Sequence, residues 1–110
     1  MKTEWHPRAE SAMHQIADYI QDRFGAKEKK VFLREVRQTV KMLHQYPYMG
    51  SFDPIFDDRT MSYRSIIISG LSKMVYYIDD DTIHIAAFWD PRREPQAQAQ
   101  QVKGDEPSNL

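Results

Sequence analysis

The residues best suited to chemistry in this sequence are arginines close to a predicted β-sheet. Arg64 lies inside a run of β-branched residues, and Arg92 and Arg93 follow the last apolar run directly. A charged side chain inside a strand must reach an anion, a partner or water, and an arginine fork suits phosphate or carboxylate. We therefore take these three arginines as candidates for anion contact, with no catalytic residue assigned. The structural alternatives are an internal ion pair for Arg64 and a solvated strand end for Arg92 and Arg93.

Other kinds of site lack a sequence signal. No two of the four histidines have the i, i+4 spacing of a helical zinc site, and the chain has no cysteine. There is no G-x-S-x-G turn, glycine-rich phosphate loop or dinucleotide fingerprint. We expect no metal centre and no cofactor. His84 is interpreted as a spectator, and residues 79–81 as a hairpin loop that offers too few oxygen ligands for calcium.

The predicted sheet extends over residues 63–95. Three runs rich in β-branched and aromatic residues are separated by two compact polar breaks, which is typical of an antiparallel three-strand meander. The strands are predicted at residues 61–68, 73–78 and 82–89. In the first of them the alternation leaves open which face Arg64 occupies.

Alternation in the last two predicted strands separates two sheet faces. The set predicted to face the helices is Met74, Tyr76, Ile78, Ile83, Ile85, Ala87 and Trp89. The set predicted for the opposite face is Val75, Tyr77, His84, Ala86 and Phe88. This second face is apolar for a surface that meets solvent. We therefore predict that Val75, Tyr77 and Phe88 bind a partner.

Upstream of the sheet, the sequence predicts a short strand at residues 3–6 and a helix at 7–24. A second helix is expected from about residue 27 to 46, and the short link makes an antiparallel hairpin. The fold class is α+β: a short N-terminal strand, a helical hairpin and a three-strand antiparallel meander. Residues 1–95 form the predicted domain, and 96–110 a tail that is partly helical or disordered.

Composition sets outer limits on function. The chain has 110 residues, a formal net charge of −1 and a pI of about 6.4, so a nucleic-acid partner would need a local basic patch. No apolar run has the length of a membrane helix, and the N-terminus has no signal-peptide core. With no cysteine, these features predict a cytoplasmic protein without membrane contact.

Several short motifs follow one another over residues 5–95. They are Trp5-His6-Pro7 with Ala9, Tyr19-Ile20 with Phe24-Gly25, Leu43 with Pro47 and Gly50, Tyr63-Arg64, residues 73–78, and residues 89–95. Together with the order of the elements, these motifs resemble the ParE/RelE toxin superfamily.

This resemblance implies the toxin of a type II toxin–antitoxin pair, neutralised by a cognate antitoxin. RelE-like members cleave messenger RNA on the ribosome with strand-borne basic residues, whereas ParE-like members poison DNA gyrase. Arg64 matches the strand arginine, and Arg92 or Arg93 the basic residue that closes the sheet.

The rest of the RelE pattern is missing. The segment before the second predicted strand is acidic, with Asp53, Asp57 and Asp58, and no tyrosine or histidine follows Arg93. The interpretation is therefore ParE-like, with DNA gyrase as the expected target. The alternatives are a RelE-like ribosome-dependent mRNA endoribonuclease and a degenerate, non-toxic antitoxin-binding module. A homodimer is a further option.

Overall fold

The structure, a computed structural model, describes residues 1–54, 61–70 and 72–90. Two helices pack on one face of a five-stranded sheet in this part of the chain. The elements in chain order are β1 (Lys2–Trp5), α1 (Pro7–Phe24), α2 (Ala26–Leu43), β2 (Ser51–Phe52), β3 (Arg64–Ile68), β4 (Ser72–Asp79) and β5 (Thr82–Trp89).

The sheet is mixed, with strand order β1-β5-β4-β3-β2. The antiparallel meander of β3, β4 and β5 is confirmed. β1 joins it parallel to β5, so that Lys2 pairs with Thr82 and Trp5 with Ile85. β2, for which the sequence predicts no strand, is a two-residue strand antiparallel to β3. The predicted tail at 96–110 lies outside the described residues.

The helical hairpin forms as predicted. Pro7 occupies the first turn of α1, where its missing N–H costs no hydrogen bond. Gly25 alone separates the helices; its φ of 98° is a value that few residues with a side chain adopt. Its ψ of 171° lies outside the left-handed helical region. α2 ends at Leu43, earlier than the predicted residue 46.

The main core lies between the helices and the sheet. It is built from the small and aliphatic residues of α1, from Phe32, Val36 and Leu43 of α2, and from alternate residues of the strands. Ile68 belongs to this core and Ile66 packs against it, so these side chains of β3 point towards the helices. Arg64 shares their parity and therefore starts on the helix-covered side of the sheet.

A β-bulge corrects part of the predicted alternation. Val75 pairs with Ala87 but Tyr76 pairs with Ile85, so Ala86 is an extra residue in β5. The extra residue reverses the facing of everything that follows it in the strand. Ala87 consequently joins Val75 and Ala86 in a second cluster on the face away from the helices, and Phe88 joins the main core. The predictions for Ala87 and Phe88 were therefore wrong, and so was that for Trp89, which pairs with Lys73 on the face away from the helices.

Candidate functional site

Arg64 is hydrogen-bonded to the loop that precedes β2. Its Nη1 donates hydrogen bonds to the carbonyl oxygens of Gly50 at 2.8 Å and Tyr48 at 3.2 Å. The guanidinium carbon lies 5.3 Å from the centre of the Tyr48 ring, a cation–π contact. The Arg64 guanidinium, predicted to contact an anion, thus contacts backbone carbonyls and an aromatic ring. Among the described residues, Arg64 makes these contacts and not the internal ion pair of the predicted alternative.

Tyr76 fixes the same loop from inside the core. Its hydroxyl donates to the Pro47 carbonyl at 2.8 Å and accepts from the Gly50 N–H at 2.9 Å. Burial raises the pKa of Tyr76, while the Gly50 hydrogen bond and the positive charge of Arg64 oppose that rise. A Cβ on Gly50 would stand 2.8 Å from the Tyr76 ring, so only glycine fits this close approach.

The face of the sheet away from the helices is here called the outer face; it carries Val75, Tyr77, His84, Ala86 and Ala87. The chain itself covers part of it, because Tyr63 packs on Val75 and the two alanines. Val75, in this cluster, is 0% exposed. Tyr77 is half-buried and meets the Tyr63 ring edge-on at 5.3 Å.

Phe88 does not lie on the outer face. It is fully buried among the helix-side residues and stacks on Trp5, with ring centres 5.7 Å apart. Of the three residues predicted to bind a partner, Tyr77 is therefore the one whose side chain is accessible. Whether it binds a partner stays a prediction.

Asp53 belongs to the outer face as a buried ion pair. Its carboxylate lies 2.9 Å from the Lys73 ammonium and is 4% exposed, while its N–H bonds the Tyr63 carbonyl. The carboxylate is thus a structural element of the sheet edge. Asp57 and Asp58, like Arg92 and Arg93, lie outside the described residues.

A group of four polar side chains lies on the outer face, where β1, β5 and β4 meet. We call these residues, Glu4, His6, Tyr77 and His84, the histidine cluster. His6 Nε2 and His84 Nδ1 are 3.2 Å apart. The Tyr77 ring stacks on His84 at 4.6 Å with planes 7° apart, and its hydroxyl lies 3.5 Å from His6 Nε2. Glu4 pairs with His84 across the parallel strands.

An open cavity of about 440 Å³ lies beside this cluster, at the end of the sheet. Tyr48, Arg64 and Tyr77 contribute to its wall together with Met61 and Asp79. Tyr77 therefore belongs to both the cavity and the histidine cluster.

Comparison with known proteins agrees with this geometry. The family model for the ParE toxin of the type II toxin–antitoxin system parDE matches residues 3–95. The chain belongs to the ParE toxin family. Among solved structures, a chain of the chromosomal ParDE toxin–antitoxin system from P. aeruginosa superposes with a TM-score of 0.65. It is 16% identical, over 82% of this chain and 95% of that chain. The curated proteins searched contain no match.

Membership of the ParE family confirms the predicted resemblance and makes the chain a toxin component whose system includes an antitoxin. The solved ParDE chain, at its low identity, supports the shared fold alone. Within the described residues, no helix is long and apolar enough to cross a membrane.

Sequence reasoning missed the histidine cluster in this ParE-family chain. It searched for ligands at helical spacing, whereas His6 and His84 are 78 residues apart and meet through the pairing of β1 with β5. The signal that could have found them is the alternation of Glu4 and His6 on a predicted strand, combined with His84 on the last strand.

Proposed function

We propose that the chain inhibits bacterial growth by binding DNA gyrase and that a cognate antitoxin neutralises it. The observation that carries the proposal is the ParE family match, which extends across residues 3–95. Its site of action is then the cytoplasm, where gyrase meets DNA. Self-association into a homodimer remains a prediction.

The contacts of Arg64 support protein binding over RNA cleavage. An mRNA endoribonuclease of the predicted kind would need this guanidinium to stabilise a phosphate. Here Nη1 donates to two carbonyl oxygens of the 48–50 loop, and the guanidinium carbon lies against the Tyr48 ring. A strand arginine engaged in this way stabilises the fold, and part of its hydrogen-bonding capacity is occupied before any ligand arrives.

The first test is inducible expression in a bacterial host that lacks the antitoxin. We expect growth arrest, induction of the DNA-damage response, and inhibition of purified gyrase in a supercoiling assay. Codon-phased cuts in primer extension on messenger RNA, without gyrase inhibition, would favour the endoribonuclease. Normal growth with abundant folded protein would favour the degenerate antitoxin-binding module.

Arg64→Lys separates the first two outcomes. Lysine keeps the charge but loses the planar fork, so we expect a small loss of stability and retained gyrase inhibition. Urea unfolding of the same variant shows whether a loss of activity is a loss of fold. A fully folded Arg64→Lys protein that no longer arrests growth would show that the guanidinium acts on the target.

For the antitoxin, we propose that the accessible part of the outer face around Tyr77 is the contact surface. Tyr77→Asp should weaken the complex with the antitoxin encoded beside the toxin, because a charge would replace an apolar ring at the interface. Tyr46→Asp makes the same chemical change at an exposed tyrosine of the loop after α2. Equal affinities for the two variants would contradict the assignment.

A further inference from the structure

The parallel pairing of β1 and β5 gathers three metal-binding side chains. Glu4 pairs directly with His84, and His6 follows Glu4 on the same face because strand side chains alternate. The ligand atoms of Glu4, His6 and His84 all lie within 4.8 Å of one another. Two imidazoles and one carboxylate are a ligand set found in zinc sites with an open coordination position.

The spacing of the two imidazole nitrogens fits a metal ion between them. In a tetrahedral zinc site with Zn–N bonds of about 2.0–2.1 Å, two ligand nitrogens are about 3.3 Å apart. His6 Nε2 and His84 Nδ1 are 3.2 Å apart in a hydrogen bond, which the ion would replace. The exposed Glu4 side chain can rotate to bring an oxygen to the same point.

The neighbours of the histidines hold the site in place. Tyr77 stacks on the His84 ring and restricts its rotation, while β1 and β5 are held by main-chain pairing. The Tyr77 hydroxyl, 3.5 Å from His6 Nε2, is within reach of a water molecule bound to a metal. Ligands fixed by packing and by surrounding hydrogen bonds lose less freedom when the ion binds.

We propose that Glu4, His6 and His84 bind one divalent transition-metal ion, with zinc as the expected occupant. This site goes beyond the proposed toxin function and stands or falls independently of it. It also revises the expectation of no metal centre, which rested on the local spacing of the histidines and on the absence of cysteine. The bound ion ties the first strand of the domain to the last.

The test uses the full-length chain with its tag removed, since a histidine tag would itself bind zinc and β1 begins at Lys2. After chelator treatment and dialysis, zinc is titrated by calorimetry and cobalt by visible absorption. We expect one ion per chain, a rise in Tm with zinc, and cobalt d–d bands of a low-coordinate N/O site. His84→Gln, His6→Gln and Glu4→Gln should each weaken zinc binding by at least the ~10–100-fold that loss of a supporting partner costs.

His14→Gln is the matched control, because His14 is exposed on α1 and apart from the cluster. Its zinc affinity should equal that of the unaltered chain. Glu4→Gln removes only an exposed charge, so it reports on the site even if a histidine variant loses stability. The proposal is overturned if zinc fails to bind with one-to-one stoichiometry, or if Glu4→Gln and His84→Gln bind it as tightly as His14→Gln.

Discussion

Adjacent tyrosines in β4 show how differently the two faces of this sheet are used. Tyr76 points towards the helices, is 0% exposed, and has its hydroxyl bonded to two backbone groups of the loop before β2. Tyr77 points to the outer face, is half-buried, and has its ring on His84 and its hydroxyl near His6. The helix-covered face builds the fold, whereas the outer face leaves polar groups within reach of a ligand or partner.

The largest expected difference in stability between the two faces comes from truncating Phe88 and Tyr77 to alanine. Phe88→Ala removes a fully buried ring stacked on Trp5 and should lower the free energy of unfolding by about 3–5 kcal/mol. Tyr77→Ala should cost clearly less, because its ring is already partly in water. Urea denaturation followed by circular dichroism measures both.

A protein of this size has only about 5–15 kcal/mol of stability, so Phe88→Ala could abolish folding. Phe88→Leu, which keeps most of the volume, then gives a measurable value. Equal losses for Phe88→Leu and Tyr77→Leu would mean that the bulge does not turn Phe88 into the core.

The second contrast concerns how tightly the helix-covered face is packed at Gly50. Gly50→Ala would place a methyl group 2.8 Å from Cε1 and the hydroxyl oxygen of Tyr76 and 3.0 Å from the Ser65 carbonyl. We expect a loss of about 1–3 kcal/mol from overpacking. Thermal and urea unfolding provide the measurement.

A double-mutant cycle identifies the source of that strain. In a Tyr76→Leu background the ring atoms are gone, so the same Gly50→Ala change should cost less than in the parent chain. The neighbouring Ser51→Ala, at an exposed position, should have almost no effect. Additive losses in the cycle would contradict the close approach of ring and loop.

A third contrast removes only hydroxyl groups. Tyr76→Phe should lower the free energy of unfolding by about 0.5–1.5 kcal/mol for each of its two hydrogen bonds. Tyr77→Phe should change it less, since the Tyr77 hydroxyl is 3.5 Å from His6 Nε2. Comparable losses from the two variants would contradict the difference between the faces.

The pH dependence of stability provides a separate check on Tyr76. Burial raises the pKa of Tyr76 above its ordinary 10.0, so the unfolded chain releases this proton first as the pH increases. The stability that the protonated hydroxyl contributes is present below about pH 10 and is lost as the pH rises through the folded-state pKa. Tyr76→Phe should show a shallower alkaline decline in urea unfolding.

The sequence predicted the helices and strands in which apolar residues recur with a clear period. Helix α1 and strand β5 have the predicted ends. Pro7 and Gly25 mark the ends of the helix, and the triple aspartate and Pro91 lie on either side of the strand. β2 escaped prediction because two residues carry no periodicity, and it forms only by pairing with β3.

The alternation of residues could not predict which face of the sheet the side chains of β5 after Ala86 point to. Alanine fits either side of a sheet, and the run from Ile85 to Trp89 is apolar at every position, so nothing in the sequence marks the extra residue. The role of Arg64 was equally hidden, since its carbonyl partners come from a loop. The histidine cluster needed knowledge of a parallel pairing between the two ends of the domain.

The pairing of β1 with β5 also decides when the domain can be completed during synthesis. Lys2 pairs with Thr82, 80 positions later in the chain, and contacts of such long sequence separation form slowly. The helical hairpin can form early, but its sheet must wait until Trp89 has emerged. Chains cut short before that point would carry an unpaired first strand and no joined histidines. A nascent chain would therefore lack the complete sheet until β5 has been synthesised.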